Sequence, residues 1–121
     1  MTDTTAALIS ALSAICPAFD QRVTAHDAAY YRVDSIPAAS LTTTLGSRPL
    51  ARDTFSVVAV SNNPAGARIL TRKAMILLDG LRVDGYRVTH DTTGPVIEDT
   101  ADTTNWRWSC TGVYHLTTPR S

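Results

Sequence analysis

Little in this sequence invites chemistry. Only two cysteines, Cys16 and Cys110, occur in 121 residues. Disulfide frameworks belong to small secreted chains, and a domain of this length can bury a modest core without one, so two free buried thiols are expected. Long hydrophobic runs are missing as well. The longest strongly apolar stretch, Ala74-Met-Ile-Leu-Leu78, falls far short of the ~20 residues a membrane span needs. The opening Met-Thr-Asp-Thr-Thr-Ala-Ala-Leu has neither a basic n-region nor a sustained apolar h-region, so no signal peptide is expected. The picture is of a soluble, cytosolic, single domain. Six dispersed glycines form neither G-x-x-x-x-G-K-[ST] nor G-x-G-x-x-G, which leaves no phosphate loop. Net charge of either sign is absent too: eleven basic residues balance eleven acidic ones. That balance argues against a dedicated nucleic-acid binder, whose affinity rests on neutralising phosphates.

What is present is ordinary for a globular protein, with 44% apolar and 18% charged residues. Three histidines, His26, His90 and His115, lie far apart, and none has a second ligand at a zinc-binding spacing. His26-Asp27 could orient a base, yet no G-x-S-x-G or comparable nucleophile pattern accompanies it. Glu98, Asp99 and Asp102 make a loose acidic cluster without the glycine and terminal glutamate of an EF-hand loop. No metal or cofactor is expected, and an enzyme built on His26-Asp27 or on the acidic cluster is disfavoured. Trp106 and Trp108 flank Arg107 and could stack on bases. Tryptophans two apart on a strand share one side, though, and more commonly fill a core or an interface.

The pattern of apolar residues predicts an α+β fold, with a mainly antiparallel or mixed sheet of four to five strands and two helices packed on it. Leu8, Ile9, Leu12 and Ile15 fall at helical spacing, so a first helix is expected from about Thr4 to Ile15, capped by Asp3 or Thr4 and stopped by Pro17. Gln21–Ala25 could be a short strand. Tyr30–Ile36 alternates well, while Pro37 ends it and hints at an edge. Residues 37–52 are rich in threonine and serine and read as a long loop with an assembly or gating role. Thr54–Ser61 is apolar on both faces, with Phe55 and Val57 on one and Val58 and Val60 on the other, as expected of an interior strand covered by helices or by a neighbouring subunit. Asn63-Pro64 starts a second helix whose stripe is read as Ala67, Leu70, Ala74, Leu77 and Leu81, widened by Ile69 and Ile76. Gly80 or Gly85 ends it. Tyr86–His90 is a strand, 91–104 an acidic excursion or hairpin, and Trp106–Leu116 a half-buried antiparallel strand.

Charge is unevenly placed along this layout. Residues 46–87 hold seven cations against three carboxylates, a surplus of +4, and residues 88–105 hold four carboxylates and no cation. A solvated surface is the plain explanation. The sharper one is a basic face that meets a neighbour's acidic loop head to tail, a heterologous contact that closes into a ring when the rotation allows. The expected contact residues are Arg48, Arg52, Arg68, Arg72, Glu98, Asp99, Asp102 and Trp106.

Several segments carry a likeness to a known family. They are Thr5-Ala-Ala-Leu-Ile-Ser-Ala-Leu12, Gly46-Ser-Arg-Pro-Leu50, Asn63-Pro-Ala-Gly-Ala-Arg68, Leu77-Leu-Asp-Gly80, Gly94-Pro-Val-Ile97 and Trp108-Ser-Cys-Thr-Gly-Val-Tyr-His-Leu116. In this order the chain resembles the tail terminator (tail completion) proteins of lambda-like siphophages of actinobacteria. The resemblance implies a non-enzymatic virion protein at the tail–neck junction, assembled in the host cytoplasm. It implies a hexameric ring that caps the tail tube, ends its polymerisation and presents a surface to the head-completion complex. DNA would pass through the lumen without specific binding. Two alternatives stay open: a head–tail connector or stopper of the same neck, and a small nucleic-acid- or ligand-binding module using the Trp106/Trp108 strand.

Overall fold

A computed structural model describes residues 4–20, 29–45, 48–99 and 107–119, with the backbone alone described at 36–45, 48–51, 99 and 119. Two helices, α1 (Thr4–Leu12) and α2 (Pro64–Leu78), pack on one mixed sheet. Its strands are β1 (Ala18–Asp20), β2 (Tyr30–Leu45), β3 (Arg48–Ser61), β4 (Arg82–Val83), β5 (Tyr86–Thr93), β6 (Ile97–Asp99) and β7 (Arg107–Pro119). They run in the order β1-β2-β3-β7-β5-β4, with β6 paired to the end of β7. Only the β1–β2 pairing is parallel among the described strands. The fold class is therefore as expected, while the strand count is higher than four to five. β1, β4 and β6 span two or three residues each, too few for an alternation to be legible.

The helices follow their local signals. Leu8 and Leu12 of α1 are fully buried, and Ile9 and Ile15 pack at the edge of the core. The helix closes at Leu12, earlier than Ile15, because its last amides tighten onto closer carbonyls (Ile15 N–H to Leu12 O, 2.9 Å) before Pro17. Asn63 caps α2: its side chain accepts from the Gly66 amide at 2.6 Å, and Pro64 takes the first helical position. Gly80, at φ +92°, turns the chain out of the helix and donates its amide to Val88 O. The buried stripe of α2 is Ala67, Thr71, Ala74 and Leu78, rotated from the expected Ala67-Leu70-Ala74-Leu77-Leu81. Thr71 can go inside because its hydroxyl donates to the Ala67 carbonyl one turn back. Leu77 consequently faces outward.

Residues 37–45 and 48–52 are strand and not loop. β2 and β3 form one long antiparallel hairpin, paired from Tyr30↔Val60 out to Leu45↔Arg48. Pro37 does not end β2; it falls at a register shift between Ile36 and Ala39, where a missing amide interrupts no ladder bond. It lies beyond the short span of β1, so among the described residues this side of β2 is an edge there. The expected strand at Gln21–Ala25 lies outside the described residues.

The core forms where the helices meet one face of the central strands. Tyr31, Val33, Phe55, Val57, Ala59, Val88, Tyr114 and Leu116 pack against Leu8, Leu12, Ala74 and Leu78. Tyr31 anchors α2 through its hydroxyl, which donates to Leu70 O at 2.6 Å. β3 lies between β2 and β7 and is buried on both faces, with Val58 at 8% and Val60 at 7% exposure on the side away from the helices. No described helix covers that second face. Both cysteines are free; Cys110 is buried, and Cys16 is half-buried, where burial pushes its thiol pKa up against the opposing pull of Lys73.

Candidate assembly interface

Strand alternation divides the candidate residues between the two faces of the sheet. On the helix side, α2 presents Arg68 and Arg72 one turn apart, and both are exposed. With Thr71 and Met75 they wall a cavity of about 650 Å³ between α2 and the Thr93–Val96 segment that leaves β5. His90 and Cys110 also line it. That segment is held in place by β7: the Gly94 amide donates to Thr111 O at 2.9 Å, and the Cys110 thiol donates to Gly94 O at 3.3 Å. His90 is fixed by a 2.7 Å hydrogen bond with the Thr93 hydroxyl and by an edge contact on the Tyr114 ring, centroids 5.3 Å apart. The cavity is thus an open, mainly apolar socket with Arg68 and Arg72 among its lining residues.

The electrostatics of α2 are one-sided. Pro64–Leu78 contains Arg68, Arg72 and Lys73 and no carboxylate. Among the described residues neither Arg68 nor Arg72 forms an ion pair. Two isoleucines continue the surface outward, Ile69 at 54% and Ile76 at 73% exposure. The expectation that Ile69 and Ile76 widen the helix's reach thus takes a definite form: they belong to the outer face and not to the core stripe.

On the opposite face, Tyr30, Arg32, Val58, Val60, Arg107 and Thr111 line a smaller groove of about 400 Å³. Arg107 sits over the Tyr30 ring, 5.8 Å from its centroid, and Arg32 pairs with Asp34 at 3.1 Å. The short strand β6 forms one bank. Ile97 is directly opposite Ser109 and is 59% exposed, and Glu98 follows it along the rim.

The eight expected contact residues therefore separate. Arg68 and Arg72 come together at the socket, and Glu98 and Asp99 come together on β6. Arg48 and Arg52 lie far out on β3, where Arg48 pairs with Leu45 near the hairpin tip and Arg52 pairs with Thr117. Asp102 and Trp106 lie outside the described residues, as do His26 and Asp27. Met75, His90 and Cys110 were not anticipated at this site, although Arg68, Thr71, Arg72 and Met75 stand at helical spacing and could have been read as one lining face.

A polar array also emerges that the sequence pattern did not announce. His115 on β7 bonds Thr54 of β3 through Nδ1 at 3.2 Å and Asp91 of β5 through Nε2 at 2.9 Å. An acid, an imidazole and a hydroxyl in line can activate a nucleophile. Here the three come from adjacent strands, which their hydrogen bonds tie together. Among the described residues no three histidine, cysteine or carboxylate side chains converge as a metal site would require.

No protein-family model matches the sequence, and no curated protein matches it either. Among solved structures the fold is similar to a chain described as "Virion of native gene transfer agent (GTA) particle", with a TM-score of 0.55 and 14% identity. The similarity covers 94% of this chain and 86% of that one. At that identity the likeness is one of fold.

Proposed function

We propose that this chain is a structural virion subunit that assembles as a ring on the end of a phage tail tube, stops the tube's polymerisation and offers the joining surface to the head-completion complex. The fold likeness to a virion particle chain over nearly the full length is the observation that carries this reading. The disposition of charge supports it. A ring subunit needs two unlike faces that complement each other. Here Arg68 and Arg72, without an ion pair among the described residues, stand on the helix side, and the acidic run from Glu98 to Asp102 begins at the opposite bank of the sheet. Arg68 and Arg72 line one cavity and Glu98 lines the other. A hexamer is the stoichiometry taken from the family resemblance, and the subunit acts without catalysis or cofactor.

The direct test is polymerisation of the cognate tail tube protein with and without this chain. Capped tubes that stop lengthening, with a ring at one end in electron micrographs, are expected. Tubes that lengthen unchanged and carry no terminal density contradict the reading. A stopper of the same neck would instead bind the portal side and leave tube growth unaffected.

One observation favours a second reading. The groove beside β6 brings Arg32, Arg107, Tyr30 and Trp108 together, the combination of cations and rings that holds single-stranded nucleic acid. Binding of a fluorescent oligonucleotide that weakens steeply with salt, by a chain that stays monomeric, would select this module over the ring subunit.

A further inference from the structure

The socket beside α2 has the chemistry of a receptor, and the chain itself carries a matching ligand. Its walls are apolar at Met75, Pro95 and Val96, Arg68 and Arg72 line it without carboxylate partners among the described residues, and the neighbouring helix surface adds Ile69, Ile76 and Lys73. An occupant should therefore be a short apolar side chain followed by carboxylates. Val96-Ile97-Glu98-Asp99 has that composition. Ile97 is among the most exposed large apolar residues, at 59%.

Geometry excludes self-insertion. Val96 lines the socket of its own chain, but Ile97 pairs opposite Ser109, which lines the groove on the face turned away from α2. Successive strand residues point to opposite sides. The same short segment thus builds the wall of one socket and projects an apolar side chain out of the other face. We propose that the socket between α2 and the Thr93–Val96 segment receives Ile97 of a second copy of this chain, with Glu98, which lines the same groove as Ile97, meeting Arg68 and Arg72. Each copy then gives one side chain and receives one, so the contact repeats head to tail until it closes. The inference rests on the ring reading above and supplies its contact.

Two variants test it, each disabling one half. Ile97→Asp keeps the socket and removes the inserted side chain; Arg72→Glu keeps Ile97 and reverses a charge of the socket lining. Both residues are exposed, so circular dichroism and melting should match the wild type; if Ile97→Asp melts early, Ile97→Ser replaces it. By light scattering after size exclusion, each variant alone should associate at least tenfold more weakly than the wild type. Mixed, they should stop at a one-to-one dimer, because only one productive contact remains between them. Wild-type rings with Ile97→Asp rings of equal stability would overturn the socket while leaving the ring subunit intact. A wild type that stays monomeric, alone and on tail tubes, would overturn the ring and the socket together.

Discussion

Tyr114 shows most plainly how single residues are held in this fold. It is 1% exposed, and its hydroxyl has no hydrogen-bond partner among the described residues. Such a group costs about 1–3 kcal/mol of desolvation, so Tyr114→Phe should leave stability unchanged or raise the melting temperature by a few degrees. A fall in melting temperature would mean that the hydroxyl is bonded after all. Burial, with Asp79 and Cys110 nearby, pushes the Tyr114 phenol up to about 12 from its ordinary value of 10.0. Because folding favours the protonated form, its contribution to stability is full below pH 10 and is lost as pH rises toward 12. Alkaline titration of phenolate absorbance against melting should show stability falling in that window, and an unchanged fall in Tyr114→Phe would assign it elsewhere. Gly112 lies beneath the same ring, where an added Cβ would stand 3.1 Å from it. Gly112→Ala should therefore destabilise by about 1–3 kcal/mol, read by denaturant unfolding.

At the scale of elements, local signals decided some boundaries and tertiary packing the others. Asn63-Pro64 specified the start of α2 because the cap and the missing amide act within one turn. Asn63→Ala should cost about 1 kcal/mol in chemical denaturation, and no measurable cost would show the cap to be redundant. The two-sided burial of β3 and the alternation of β7 were legible for the same reason: each is a dense, repeated pattern. What was not legible depends on distant partners. The outer hairpin lacks an apolar rhythm, so nothing in residues 37–52 separated a polar strand pair from a loop. The rotation of the α2 stripe followed from Thr71 satisfying its own hydroxyl, which hydropathy alone assigns to the surface. The socket was half visible, through Arg68 and Arg72, whereas Cys110 and His90 reach it only by the register of β5 and β7.

At the scale of the whole molecule, this is a sheet with two unlike faces. One carries the helices, Arg68 and Arg72 and a socket; the other carries a groove banked by Ile97 and the start of an acidic run. Exposed ion pairs contribute only about 0.2–1 kcal/mol each and are screened by salt, so charge alone would give a weak ring. Burying isoleucine in the socket supplies the apolar part, which salt does not weaken. Association should consequently fall only modestly as salt rises, while Ile97→Asp weakens it at least tenfold at every ionic strength. The opposite pattern, rings dissolved by salt and indifferent to Ile97, would mark a purely electrostatic contact. The claim beneath all of this is that copies of the chain join front to back and close. Native mass measurement of the purified protein, free and bound to tail tubes, tests it most directly. A single closed species at six times the 13.0 kDa subunit is the expected result, and a monomer under both conditions would contradict the account.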